Sequence, residues 1–214
     1  MTGPVIRAAS RKDADFLAWV ILTASRGHLA RGWFDIALNQ PEGICLEFLR
    51  RLSTTEAPSW WHYSRFLVAE SEGRPVAALS AFPAGKAYAL SQAAMSETAD
   101  ALGLPMSEQS AIWQRGAYIF LCAMGGHDDC WTLENIATLP SYRGRGVTTA
   151  LLTRAAEEGC ARGFKEAQIT SFIDNQSARG AYEKAGFRCV DERRHPEFEA
   201  VAGTPGLLRF VRPL

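Results

Sequence analysis

The chain has 214 residues, of which 47% are hydrophobic and 21% charged, and this composition suits one soluble globular domain with a substantial core. Its 23 basic residues balance its 23 acidic residues, which argues against an extended nucleic-acid surface, because such a surface is usually basic. The apolar stretches are too short to span a bilayer, and the first residues contain no apolar signal region, so no membrane association is expected.

The first half of the chain predicts a strand followed by amphipathic helices. Val5–Ala9 suggests a strand, and a helix follows from about Asp13. A second helix is expected to begin near Pro41, since proline is favoured in a first turn. Its apolar residues recur at helical spacing: Cys45, Phe48, Leu49 and Leu52.

Two strands and a helical segment come next. The strands Arg65–Ala69 and Pro75–Ser80 flank a polar turn at 71–74, which predicts a hairpin. Residues 84–125 favour helix: one run ends at Gly103, and Ser107 can cap another. Neither run has enough apolar surface to fold alone. We therefore expect a helical insertion within one domain that covers residues 1–214.

The second half predicts alternating strands and helices. The expected elements are a strand at 131–139, a helix at 147–162, a strand at 167–173, a short helix capped by Asn175, and strands at 187–192 and 207–211. A turn of sequence Tyr-Arg-Gly-Arg-Gly-Val-Thr-Thr joins the first strand to the first helix.

This turn has the features of a diphosphate-binding site. The first turn of a helix offers unpaired backbone N–H groups, and its dipole favours an anion there. Gly144 and Gly146 let a ligand approach the backbone. The neighbouring side chains add positive charge or hydroxyl donors: Arg143, Arg145, Thr148 and Thr149.

Three other interpretations of the turn compete with a diphosphate-binding site. A dinucleotide-binding Rossmann protein would place glycine at Thr149 and begin the turn directly after the strand. A nucleoside-triphosphate loop would require Gly-Lys-Ser/Thr, which the turn does not contain. The turn also suits a plain basic connection that binds nothing.

A second motif thirty residues downstream favours one interpretation. Asn175 and Ala178 are followed by Tyr182, Gly186 and Phe187. With the turn, these residues resemble the acyl-coenzyme A signature of the GNAT N-acetyltransferase superfamily over residues 131–187. Thr148 departs from the family pattern, which has glycine or alanine there.

The resemblance implies an α/β (α+β) fold with a mixed, mostly antiparallel sheet of about seven strands flanked by helices. It also implies transfer of an acetyl group from acetyl-coenzyme A (acetyl-CoA), the cosubstrate, to a primary amine of a small molecule or peptide, without a metal. In this family, the central strand separates from its neighbour, and a bulge leaves the amides that correspond to Ile136, Ala137 and Thr138 free to bind pantetheine. The counterparts of residues 144–149 (Gly144, Arg145, Gly146, Val147, Thr148 and Thr149) bind the diphosphate. Asn175 suits either a pantetheine contact or a helix cap.

Catalytic roles follow from the same resemblance. Tyr182 matches the aromatic residue that donates toward the departing sulfur, although its position also suits the edge of an amphipathic helix. Glu134 is the first candidate for the general base, or else it lies at a solvated strand edge. His127, Asp128 and Asp129 are the next candidates. Thr170 stands where some relatives have a glutamate, and it cannot serve as that base.

The acceptor and the partners are left open. Seven aromatic residues that precede the strand at 131–139 suit an acceptor pocket, a core or an oligomer contact: Trp33, Phe34, Trp60, Trp61, Tyr63, Trp113 and Tyr118. The insertion suits a lid or a homodimer contact. Five scattered cysteines without Cys-x-x-Cys pairs indicate reduced, mostly packed thiols in a cytoplasmic protein. A regulatory module that binds coenzyme A without turnover is the alternative function.

Overall fold

A seven-stranded mixed sheet forms the centre of the protein, and its strand order is β1-β2-β3-β4-β5-β7-β6. The computed structural model describes residues 4–85, 87–124 and 129–214. The strands are β1 Val5–Ala8, β2 Phe66–Ser71, β3 Arg74–Pro83, β4 Trp131–Thr138, β5 Glu166–Phe172, β6 Arg188–Arg194 and β7 Gly206–Pro213. Only the β4–β5 pair is parallel. The predicted mixed, mostly antiparallel sheet is confirmed.

Helices cover both faces of this sheet. They are α1 Ala14–Arg26, α2 Trp33–Leu38, α3 Glu42–Leu52, α4 Ala87–Ala101, α5 Met106–Gly116, α6 Val147–Ala161, α7 Gln176–Lys184 and α8 Pro196–Ala202. Sequence periodicity missed α2 and α8, because each spans only about two turns. Helix α5 starts after Pro105, so Ser107 lies inside it and does not cap it, contrary to the prediction.

Two main hydrophobic cores lie against the sheet. On one face, Leu151, Leu152 and Ala155 of α6 pack on residues such as Leu133 and Ile169 of the central strands. On the other face, the core is built from α1, α2, α3 and part of the insertion, with Leu17, Ile21, Phe34, Leu49 and Ala94 among its buried residues. The candidate active site lies in the sheet between these two cores, where strands β4 and β5 separate.

The insertion helices pack against the N-terminal helices. Trp33 of α2 donates from Nε1 to the carbonyl of Gly116 at 2.9 Å, and Arg115 donates from Nε to the carbonyl of Ala37 at 2.7 Å. Beyond α5, a 3-10 turn at Ala117–Leu121 reaches α8, where the ring centroids of Tyr118 and Phe198 are 5.4 Å apart. Two elements that sequence periodicity missed, α2 and α8, therefore hold the insertion.

Two further observations concern composition. None of the helices in the described ranges is both long and apolar enough to cross a membrane. Cys45 and Cys122 are buried, as expected for packed thiols, but Cys160 and Cys189 are exposed, which the sequence did not predict.

Candidate active site

The parallel strands β4 and β5 separate halfway along their length. Their pairing covers only Trp131–Leu133 against Ala167–Ile169. Strand β5 continues to Phe172, but there it pairs only with β7. The second half of β4, which carries Ile136, Ala137 and Thr138, therefore has no β5 partner. On that side the Thr138 carbonyl accepts a hydrogen bond from Arg143, and the remaining backbone polar groups are open to a ligand.

A β-bulge marks the point of separation. Ser80 lies opposite Glu134 and Ala78 lies opposite Ala137, so Asn135 and Ile136 together face a single residue of β3. Asn135 has a φ of 50°, in the left-handed region that asparagine tolerates better than most residues. Its Nδ2 donates to Ser80 Oγ at 3.0 Å, and that hydroxyl donates to the Glu134 carbonyl at 3.2 Å. Sequence reasoning missed this clamp, although an asparagine inside an apolar strand was a signal for it.

The turn between β4 and α6 presents a run of unpaired backbone donors. Within the part of the chain that the structure describes, the N–H groups of residues 144–149 donate to no acceptor, and the first bonded N–H of the helix is that of Ala150. Gly144 and Gly146 have φ values of 74° and 75°. A Cβ at either position would meet nothing within 4 Å, so open space lies over the backbone. This geometry suits an anion.

Side chains of the turn contact neighbouring groups and stabilise its conformation. Arg143 donates from Nε to the Thr138 carbonyl at 3.3 Å, and the guanidinium of Arg145 lies 5.1 Å from the centroid of the Tyr142 ring. Val147 is buried in the core and contributes only its N–H to the turn.

Thr148 is braced in the same way. Its hydroxyl is hydrogen-bonded to that of Thr138 at 3.0 Å. The larger residue at this position therefore joins the helix to β4, and its backbone N–H remains unpaired.

Glu134 lies at the end of the paired part of β4. Its side chain is half-buried and accepts no hydrogen bond from the described residues. Because burial disfavours the charged form, the pKa of Glu134 is raised from 4.5 to about 7. The sequence left open whether Glu134 is a general base or lies at a solvated strand edge. The half-buried environment of its side chain differs from a solvated edge.

Tyr182 lies on α7, the helix that follows β5. It is 7% exposed, with its ring centroid 5.6 Å from that of Phe210 and 6.5 Å from that of Phe187. Its hydroxyl has no hydrogen-bond partner among the described residues. Burial, and secondly the negative charge of Glu134, raise the pKa of Tyr182 well above its usual value of 10. This phenol therefore stays protonated and able to donate.

The other predicted residues are placed as follows. Asn175 accepts a hydrogen bond from the N–H of Ala178 at 3.1 Å, so it caps α7. Asp129 is exposed in a turn before β4, and Thr170 is half-buried on β5. The other base candidates, His127 and Asp128, lie outside the described residues.

Three of the seven aromatic residues singled out in the sequence are buried. Phe34 and Trp61 are 2% and 7% exposed, and Tyr118 is buried beside α8. The other four are partly buried and pack against the core of Phe34 and Trp61: Trp33, Trp60, Tyr63 and Trp113. All seven therefore contribute to packing, and four of them also keep some exposed surface.

Comparison with known proteins places this arrangement in a family. The chain superimposes on an N-acetyltransferase from Staphylococcus aureus Mu50 with a TM-score of 0.70 at 20% identity, covering 98% of this chain and 100% of the other. An agmatine N-acetyltransferase gives a TM-score of 0.58 at 17% identity over 100% of both chains. The ribosomal-protein-S18-alanine N-acetyltransferase from Escherichia coli gives 0.52 at 17% identity, covering 98% and 93%.

At such identities these structures establish the fold alone. The acetyltransferase (GNAT) family profile matches residues 33–187, which include the bulge, the glycine turn and the Tyr182 helix. The chain therefore belongs to the GNAT acetyltransferase family.

Proposed function

We propose that this protein transfers an acetyl group from acetyl-CoA to a primary amine of a small molecule or peptide, by direct attack of the amine. The observation that carries the proposal is the run of unpaired N–H groups at residues 144–149, beside the open edge of β4. The first turn of any helix leaves such groups unpaired, but here the run already begins at Gly144, before the helix, and lies beside two open glycines and two arginines.

The residues of the site fit the coenzyme. The N–H groups of Gly144–Thr149 suit a diphosphate, with Arg143 and Arg145 adding charge at the same place. The unpaired stretch of β4 at Ile136, Ala137 and Thr138 suits the amide groups of pantetheine, and Asn175 can add a contact at the start of α7. When bound, acetyl-CoA supplies the acetyl group as a thioester.

Glu134 is proposed as the general base. An alkyl amine has a pKa of about 10.4, so at pH 7 almost all of it is protonated, and freeing its lone pair costs roughly 4–5 kcal/mol. A carboxylate with a pKa of about 7 is well matched to accept that proton near neutral pH. Its position just before the bulge supports this role, because the stretch of β4 without a β5 partner begins at this residue.

Tyr182 is proposed to donate to the departing sulfur. The residue is buried and its hydroxyl has no partner among the described residues, so it is free to donate to a ligand that enters the cleft. Its raised pKa makes it a weaker acid than an ordinary phenol. Stabilisation of the sulfur by a hydrogen bond is therefore favoured over full proton transfer.

Two measurements on the purified chain test the proposal. Calorimetry with acetyl-CoA and with free coenzyme A should show binding of both. A thiol-release assay with a panel of amines and peptides should then show acetyl-CoA consumption that depends on the acceptor. Absence of binding would overturn the whole proposal, whereas binding without release for any amine would favour a regulatory coenzyme A-binding module.

A further inference from the structure

Arg209 stands in the middle of β7 with an incompletely paired guanidinium. Its side chain is 19% exposed, and its nearest carboxylate oxygen, Oδ2 of Asp191, is 3.9 Å from Nη2, too far for a hydrogen bond. Nε is buried and has no partner, and among the described residues the guanidinium makes no hydrogen bond. A mostly buried cation is normally hydrogen-bonded, so this one requires an explanation.

Two other partly buried arginines, Arg26 and Arg212, are well paired. Arg26 holds Asp35 through two hydrogen bonds of 2.9 and 2.7 Å. Arg212, three residues after Arg209 on the same strand, donates to the carbonyl of Ala185 at 2.8 Å. The fold thus uses these side chains as structural ties, and Arg209 is not used in that way.

Arg209 and Glu134 lie on the same face of the sheet at the same level. Leu133 pairs with Ile169, and both belong to the core beneath α6. The next residues along each strand, Glu134 and Thr170, therefore face the other side. Thr170 lies directly opposite Arg209, so the row Glu134, Thr170, Arg209 crosses three strands, about 10 Å between its outer Cα atoms before the separation of β4 and β5 is added.

This face carries a second unpaired polar atom. Gln168, two residues before Thr170 on β5, donates from Nε2 to Thr132 Oγ1 at 3.0 Å, but its Oε1 is buried and without a partner. Three buried side-chain nitrogen or oxygen atoms lack a partner within the described ranges, and two of them, Gln168 Oε1 and Arg209 Nε, belong to this patch. Glu134, Gln168, Thr170 and Arg209 thus form a polar patch on this face of the sheet, called the polar floor below. Two of its buried polar atoms have no hydrogen-bond partner among the described residues.

We infer that this floor selects an acceptor that carries a carboxylate as well as its amine, with the amine at Glu134 and the carboxylate at Arg209. The inference rests on the proposed acetyl transfer and adds a substrate class to it. A guanidinium binds a carboxylate through charge-assisted, often bidentate hydrogen bonds. Thr170 lies between the two charged residues and has a short side chain. It therefore leaves room for an amino acid whose amine lies at Glu134 and whose carboxylate lies at Arg209.

The test compares each amino acid with the amine that remains when its carboxylate is removed. The pairs are arginine with agmatine, lysine with cadaverine, phenylalanine with phenethylamine, and β-alanine with ethylamine. Thiol release from acetyl-CoA by the wild-type chain should give a kcat/KM at least about tenfold higher for the carboxylated member of at least one pair. Equal or lower values for the carboxylated member of every pair would overturn the inference and leave acetyl transfer intact.

Two variants assign the preference to this residue. Arg209→Met should raise the KM of the preferred carboxylated acceptor at least about tenfold and change that of its decarboxylated partner less than about twofold. Arg74→Gln, which removes an exposed positive charge in the β2–β3 hairpin, should change neither. Because each variant is compared with wild type on the same pair, the different amine pKa values cancel.

The remaining outcomes are also decisive. Arg209→Met should keep the melting temperature of the wild type, since Arg209 makes no hydrogen bond with the described residues. An equal loss with both members of a pair would mark Arg209 as structural and overturn the inference. No thiol release by the wild type with any amine would overturn the proposed function, and this inference with it.

Discussion

The two sides of the separation between β4 and β5 are built in different ways. On the α6 side, the turn at residues 144–149 presents backbone N–H groups, and its side chains mainly brace the loop, as Thr148 does toward Thr138. On the opposite side, the polar groups are side chains from separate strands, namely Glu134, Gln168 and Arg209. Backbone donors suit a ligand that is the same throughout a protein family, because the backbone does not change with the sequence. Side chains suit a ligand that differs between members of a family.

This contrast explains why the family is evident and the acceptor is not. The α6 side, where we propose that the acetyl donor binds, is continuous in sequence and depends on glycines whose φ values few other residues adopt. The opposite side, where we propose that the amine acceptor binds, depends on single side chains, which substitution can change without altering the fold. Variants on each side should therefore fail differently.

The largest effect is expected at Glu134. Glu134→Gln should lower kcat by about 10²–10³-fold, because the glutamine cannot accept a proton from the amine. In the wild type the deprotonated carboxylate is the active form, so kcat should rise as pH increases through about 7 and then level off. The variant should lose that pH dependence.

The pH–rate profile checks this prediction, with Glu72→Gln as a control. Glu72 is exposed in the β2–β3 hairpin, and its replacement should change kcat less than about twofold. A wild-type rate that stays flat between pH 6 and 8, or a fully active Glu134→Gln enzyme, would remove Glu134 from the mechanism.

The next effect is expected at Tyr182. Tyr182→Phe should lower kcat by about 10–100-fold and leave the Kd for coenzyme A nearly unchanged, since only a donor toward the sulfur is lost. Its hydroxyl has no partner among the described residues, so the melting temperature should not fall. Steady-state rates equal to those of the wild type would show that Tyr182 only packs the helix.

A smaller effect is expected at Gly146, and it acts on binding. Gly146→Ala places a side chain at a φ of 75°, which costs about 1–2 kcal/mol, and it covers the approach to the N–H groups. The Kd for coenzyme A should rise roughly tenfold or more, as measured by calorimetry.

Gly73 provides the matched control for this variant. It has a φ of 73° in the β2–β3 hairpin, and a Cβ there would also meet nothing within 4 Å. Gly73→Ala should lower stability by a similar amount and leave the Kd unchanged. If both alanines weakened coenzyme binding equally, the turn at 144–149 would have no special role in it.

The smallest effect is expected at Thr148. Thr148→Val removes the 3.0 Å hydrogen bond to Thr138, whose hydroxyl is then left buried without that partner, at a cost of about 1 kcal/mol in the free energy of unfolding. Denaturant titration measures this cost, and Thr153→Val, farther along α6, should cost less than about 0.5 kcal/mol. Affinity for coenzyme A should hold, because the N–H of residue 148 remains. A large loss of affinity would show that the Thr148 hydroxyl binds the ligand.

Sequence alone determined the strand–turn–helix unit at 131–162 and the capped helix at Gln176–Lys184. These elements follow from local rules: the 3.6-residue period of apolar positions, glycines where φ must be positive, and Asn175 as a cap. The unpaired amides at the start of α6 follow from such a rule as well, because the first turn of any helix lacks acceptors for its N–H groups.

Tertiary structure decided where the rest of the site lies. The family resemblance implied a separated central strand with a bulge, and packing places that bulge at Asn135, whose side chain is hydrogen-bonded to Ser80 on another strand. The raised pKa of Glu134 depends on burial, and the incomplete hydrogen bonding of Arg209 depends on which residues β5 and β6 place beside it. Burial and long-range neighbours are properties of the packed chain, and residue spacing carries no record of them.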